Sequence, residues 1–163
     1  MFNTPIKEIM TSPVVSVKTD TPLYEVVQLL DRKFFSGVPV VDEQDRVVGI
    51  ISERDLLKYT RIVLGRPCRD LSTLLEEKEA TAVDSQRGVE VIELIASNTA
   101  SNLMTKEVIT LREDTPTIEA VKVMNRQQIN RIPVVDSEQK LQGIVTRANV
   151  LNMIEKWTES NQL

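Results

Sequence analysis

Val38-Pro-Val-Val-Asp42, followed by Gly49-Ile-Ile-Ser-Glu-Arg-Asp55, returns as Ile132-Pro-Val-Val-Asp136 and Gly143-Ile-Val-Thr-Arg-Ala-Asn149, offset by 94 residues without a gap. At that offset Met10–Leu57 aligns with Met104–Leu151, and 16 of the 48 pairs are identical. They include Met10/Met104, Thr11/Thr105, Asp20-Thr-Pro22/Asp114-Thr-Pro116, Glu25/Glu119 and Arg32/Arg126. Most other pairs keep their character, as in Val15/Ile109, Val17/Leu111, Ser52/Thr146 and Asp55/Asn149. One unit is present twice. A period this long with only two copies does not make a solenoid and points to a duplicated half-domain.

Each copy reads strand, helix, strand, strand, helix. Val14-Val-Ser-Val17 and Val108-Ile-Thr-Leu111 are short β-branched runs that end in polar turns, as half-buried strands do. Thr21-Pro22 and Thr115-Pro116 then offer a capping hydroxyl before a proline at the first helical position. Leu23, Val26, Val27, Leu30 and Phe34 fall on one helical face, and Ala120, Val121 and Met124 repeat that spacing. Asp42–Arg46 and Asp136–Lys140 are short polar links between β-rich runs, which predicts hairpins. A last helix follows Ser52 or Thr146, with Leu56, Leu57, Thr60, Val63 and Leu64 as its apolar stripe in one copy and Val150, Leu151, Ile154 and Trp157 in the other. Between the copies, Gly65-Arg-Pro67 predicts a helix stop and Asp70–Lys78 has helical spacing; Val89–Ala96 fits a helix or a strand. The expected division is repeat 1 over 5–64, a partly helical linker over 65–98, and repeat 2 over 99–158.

Composition excludes several classes. Of the 163 residues, 41% are hydrophobic and 27% charged, the balance of a globular chain long enough to bury a core without disulfides. No apolar run approaches the roughly 20 residues that cross a bilayer, and Met1–Glu8 lacks the pattern of a signal peptide, so no membrane association is expected. Cys68 is the single cysteine and fits a reducing compartment, the cytoplasm by default. A net charge of −4 argues against a sequence-independent grip on nucleic acid. Histidine is absent altogether, which removes the commonest general base and metal ligand, and no nucleophile-elbow, Walker or metal-spacing motif is present. An enzyme is not expected.

The duplicated strand-helix-strand-strand-helix order, the Met-Thr near each start, Asp-Thr-Pro, Pro-Val-Val-Asp and Gly-Ile-[Ile/Val]-[Ser/Thr]-x-x-[Asp/Asn] together resemble the cystathionine β-synthase (CBS) domain pair, or Bateman module. That resemblance covers nearly the whole chain. It implies an α/β (α+β) fold of tandem CBS repeats, each β-α-β-β-α, packed as a pseudo-two-fold pair with two clefts. It also implies an adenosine ligand such as AMP, ADP, ATP or S-adenosylmethionine, and a homodimer. Asp45 and Gln139 depart from the pattern, standing in the hairpin loops where the family often has glycine.

The residues themselves suggest the same chemistry and leave alternatives open. Gly49 and Gly143 would allow close approach of a ligand to the backbone. Ser52 and Thr146 stand at helix starts, where N–H groups and the positive dipole end favour phosphate or ribose oxygens. Asp55 and Asn149, one turn on, can accept hydrogen bonds from ribose hydroxyls. Ser52-x-x-Asp55 equally reads as a capping box with no ligand at all. By family position Val15, Ile50, Ile109 and Ile144 would wall the purine slots, a role compatible with ordinary core. Asn130 and Arg131 occupy the family's phosphate position, and Gly37 leaves the counterpart uncharged, so the clefts should differ. The resemblance implies that Arg131 serves the Ser52/Asp55 cleft; alternatively it is a solvated surface arginine. The functional expectation is a regulatory module that senses an adenosine nucleotide and signals to a partner protein, with a ligand-free dimerising adaptor as the alternative.

Overall fold

The structure is a computed structural model and describes residues 3–64, 93 and 95–160. A 3-10 turn, Ile6–Glu8, opens the chain, followed by β1 (Val17–Lys18), α1 (Leu23–Lys33), β2 (Gly37–Val41), β3 (Val47–Ser52) and α2 (Glu53–Leu64). After the intervening segment come α3 (Ala100–Leu103), α4 (Thr117–Gln127), β4 (Arg131–Val135), β5 (Leu141–Thr146) and α5 (Arg147–Ser160). The predicted stop at Gly65–Pro67, the helix at Asp70–Lys78, and the side chains of Thr60, Val63 and Leu64 lie outside the described residues. Residues 93 and 95–97 are helical, which favours helix over strand there.

One sheet has the order β1-β2-β3. β1 runs parallel to β2, with Val17 opposite Val40 and Lys18 opposite Val41. In the second sheet β4 and β5 are antiparallel, Arg131 facing Thr146 and Pro133 facing Ile144. The predicted first strands are shorter than Val14–Val17 and Val108–Leu111. Only Val17–Lys18 is strand in the first copy, and in the second only Leu111 bridges to Val134. The physical reason is the partner: β2 and β4 offer a parallel edge to the last residues of each run and to nothing before them.

Two further corrections concern helix ends. Thr21 does not cap α1, because the N-cap is Pro22 and Thr21 Oγ1 accepts from the Lys18 N–H (2.9 Å). Thr115 Oγ1 likewise accepts from the Arg112 N–H (3.2 Å), so both hydroxyls close the preceding turn. Phe34 leaves the apolar face: α1 ends at Lys33, Phe34 takes φ 53°, and its ring is 95% exposed. That left-handed step shifts the phase by one residue, and Phe35 packs on the core instead.

The chain forms two compact units whose seams do not follow the repeat boundaries. One gathers Gln44–Val47 and residues from Val108 onward with the chain's own leading segment up to Val15; the other gathers Ser16–Glu43 and Val48 onward, through Glu107. Thus the leading segment of each copy packs with the body of the other. In the first unit Ile6 is fully buried with Ala120, Met124, Ile132, Val134 and Val145. In the second Ala100 is buried with Leu23, Val26, Leu30, Val38, Val40 and Ile51. Backbone pairing reinforces both: Thr11 exchanges hydrogen bonds with Ile144 (2.9 and 3.0 Å), and Thr105 with Ile50 (2.9 and 3.0 Å). The hairpin tips also pair within the first unit, Val47 N–H to Gln139 O (3.0 Å) and Leu141 N–H to Asp45 O (3.0 Å), two bonds related by the same 94-residue offset.

Candidate functional site

Each repeat's motif straddles a strand end and a helix start. In the first copy β3 ends at Ser52, whose backbone N–H and Oγ both donate to Asp55 Oδ2, at 2.9 and 2.5 Å. The other carboxylate oxygen, Oδ1, accepts from Thr105 Oγ1 at 3.4 Å. In the second copy the Thr146 N–H and Oγ1 donate to Asn149 Oδ1 (2.8 and 2.7 Å), and the Asn149 N–H returns a bond to Thr146 Oγ1 (3.2 Å). Asn149 Nδ2 donates to Thr11 Oγ1 at 3.2 Å. The amide orientation follows from chemistry, since the Thr146 N–H needs an acceptor and only the oxygen supplies one.

These bonds are the capping-box geometry, in part at Ser52/Asp55 and reciprocally at Thr146/Asn149. The helix-start donors are also less open than the sequence suggests. The Glu53 N–H reaches Ser36 O (3.3 Å) and the Arg147 N–H reaches Asn130 O (3.0 Å). Each last helix is thereby anchored to the residue just before β2 or β4.

Gly49 and Gly143 serve a contact different from the one expected. A Cβ on Gly49 would overlap Sδ of Met104, and a Cβ on Gly143 would overlap Sδ of Met10. The space beside each glycine is filled by the methionine of a leading segment, within one unit, which corrects the reading of these glycines as ligand approaches. Met10, Thr11, Met104 and Thr105 are the site residues that sequence reasoning passed over. Their only signal was identity in both copies.

The remaining candidates fall in place as follows. Ile50 and Ile144 hold the strand positions that pair with Thr105 and Thr11. Arg131 opens β4 opposite Thr146 and is half-buried, while Asn130 before it is exposed. Val15 and Ile109 are exposed apolar residues, at 41% and 37%. Ile50, Ser52 and Asp55 belong to one unit; Val15, Ile109, Asn130, Arg131, Ile144, Thr146 and Asn149 belong to the other. A cleft of about 220 Å³ in the first unit is lined by Val121, Met124, Asn125, Arg147, Val150 and Leu151, and includes none of the candidates. Among the described residues no cluster of three or more His, Cys, Asp or Glu side chains suits a metal, and no helix is long and apolar enough to cross a membrane.

Comparisons agree on one family. The CBS domain profile matches residues 6–61 and 100–156. A Methanocaldococcus jannaschii protein of uncharacterized function is 33% identical over 156 residues, covering 91% of this chain and 90% of its own. The CBS domain of a CBS domain-containing membrane protein from Sphaerobacter thermophilus is 31% identical, with a TM-score of 0.69 over 93% of this chain and 88% of that one. CBSX2 of Arabidopsis thaliana, solved in complex with AMP, is 25% identical, with a TM-score of 0.68 over 94% of this chain and 98% of that one. Two matched segments, a mixed α/β architecture with two sheets, and relatives aligned along nearly the full chain lead to one conclusion: the chain belongs to the CBS domain family, as a tandem CBS domain pair.

Proposed function

We propose that this CBS pair is a non-catalytic regulatory module that binds an adenosine nucleotide and passes the binding event to a partner protein. The observation that carries the reading is the Asp55 carboxylate, held by Ser52 at a helix start through Oδ2, with Oδ1 engaged only at 3.4 Å. Such an acceptor suits ribose hydroxyls. Similarity to CBSX2 supports AMP as the first ligand to test; ADP, ATP and S-adenosylmethionine belong to the same class. In this reading Ser52/Asp55 and Thr146/Asn149 hold the sugar. Val15, Ile50, Ile109 and Ile144 wall the base, and Asn130 and Arg131 receive the phosphate, Arg131 serving the Ser52/Asp55 site. No catalytic cofactor is required. The protein acts in the cytoplasm, without a nucleic-acid or membrane partner, as a homodimer that uses apolar side chains of α5 such as Leu151, which is 64% exposed.

A ligand that binds only the native state at a hundred times its Kd adds about 2.7 kcal/mol of stability. For a chain of this size that raises Tm by roughly 5–10 °C. Thermal unfolding with millimolar AMP, ADP, ATP and S-adenosylmethionine should show that rise, and Asp55→Ala should reduce it in a protein that still unfolds cooperatively. The alternative is a ligand-free dimerising adaptor, favoured by the reciprocal capping of Thr146 and Asn149. A transition that none of the four compounds moves supports the adaptor.

A further inference from the structure

The two motifs differ in what their hydrogen bonds leave available. Asn149 Oδ1 already accepts two bonds from Thr146, and its Nδ2 donates to Thr11 Oγ1, so both ends of the amide are engaged. Asp55 concentrates its two bonds from Ser52 on Oδ2 and leaves Oδ1 with the single 3.4 Å contact from Thr105. A carboxylate accepts about four hydrogen bonds in all, so Oδ1 retains capacity; an amide oxygen accepts about two, and Asn149 Oδ1 is filled. Thr11 and Thr105 are equivalent residues of the two leading segments, each pinned by backbone pairing to the strand that carries the motif. They meet chemically opposite partners. Thr11 must accept from an N–H donor, whereas Thr105 can only donate to a carboxylate.

We infer that Thr11 is a positioning residue that closes the Asn149 motif to a vicinal diol, so that the chain takes one ribose nucleotide, at Asp55. The inference rests on the nucleotide reading above and adds stoichiometry and sugar selectivity to it. At Asp55 a 2′,3′-diol replaces a long, weak contact and donates to Oδ1. At Asn149 a sugar must first displace the bond to Thr11, and it then meets a single donor instead of an acceptor.

Titration calorimetry of the intact chain with AMP and with 2′-deoxy-AMP provides the test. Wild type should take one AMP per chain, and 2′-deoxy-AMP should bind about tenfold more weakly, the loss of one hydrogen bond to a charged acceptor. Asp55→Asn should weaken AMP by a similar factor. Thr11→Val, nearly isosteric at an exposed position, should release Asn149 and add a second AMP equivalent; Thr105→Val should change affinity by no more than about twofold. Two equal AMP sites in wild type, indifference to the 2′-hydroxyl, or no second equivalent in Thr11→Val would each overturn the inference while leaving nucleotide binding intact. The 2′-deoxy comparison needs no variant, so misfolding cannot mask it. Absence of any heat with AMP overturns the nucleotide reading, and this inference with it.

Discussion

At the scale of single residues, the glycines of the two motifs are packing devices. Gly49 and Gly143 yield the volume of a methyl group to Met104 and Met10. Gly49→Ala should therefore destabilise the protein by about 1–3 kcal/mol, the usual cost of overpacking, and Met104→Ala in that background should cost less than it does in wild type. Urea denaturation of the four proteins closes that cycle. A second pair works in the other direction: Asp45 and Gln139 stand at φ 60° and 66° in the hairpin loops. A left-handed backbone costs a Cβ-bearing residue about 1 kcal/mol, so Gln139→Gly should stabilise by roughly that amount. Asp45→Gly should gain less, because aspartate tolerates this region better than glutamine. The departure of these two loops from glycine was visible in the sequence, but its conformational cost required the backbone angles. The role of the motif glycines was hidden for a different reason. Nothing local connects Gly49 to a methionine 55 positions away.

At the scale of elements, periodicity exposed the helices and hairpins and misplaced their ends. Leu23, Val26, Val27 and Leu30 are buried as their spacing demands, yet Phe34 follows the same spacing into solvent because a left-handed residue resets the phase. Thr21 and Thr115 have the chemistry of caps but bond back to the turn before them, a choice made by turn geometry that composition does not reveal. The β4–β5 hairpin shows how much a side chain can govern an element. Asp136 Oδ1 accepts from the N–H groups of Glu138 (2.8 Å) and Lys140 (3.0 Å), and Oδ2 accepts from Gln142 Nε2 (2.9 Å). Partial desolvation alone would raise its pKa, but those backbone donors, with the charges of Lys140 and Arg112, hold it below the ordinary carboxylate value of 3.8. A lowered folded-state pKa stabilises above the unfolded value, and that stability is lost as pH falls through the folded one. Asp136→Asn should therefore lower the denaturation midpoint at pH 7, and its deficit against wild type should shrink in acid below about pH 3.8. The opening 3-10 turn is equally exacting. Ile6 is fully buried, so Ile6→Ala should cost about 2–4 kcal/mol despite lying six residues from the terminus, a loss that chemical denaturation would measure.

At the scale of the whole molecule, the repeat was plain in the sequence, whereas the way the copies share their parts was not. Self-alignment finds equivalent residues and says nothing about which copy an equivalent residue packs against. Met10–Thr11 looks like the first copy's own beginning, but it completes the strand, the glycine contact and the amide bond of the second. Met104–Thr105 does the same for the first. Neither copy is self-sufficient. Fragments 1–64 and 93–163 expressed separately should lack cooperative unfolding, and mixing them should restore it; circular dichroism melts of each fragment and of the mixture would check this.

That reciprocity bears on how such a chain arises. A solitary ancestral repeat would have satisfied its glycine and its open strand edge only by borrowing the opening residues of a second molecule while lending its own. Such an ancestor would have been an obligate pair whose stability depended on dilution. Fusing the two genes replaces that bimolecular encounter with an effective concentration in the millimolar range. It also frees the two halves to diverge, since each change is thereafter met by one fixed neighbour. Asp55 in one half and Asn149 in the other are the kind of difference that only a tethered pair can inherit.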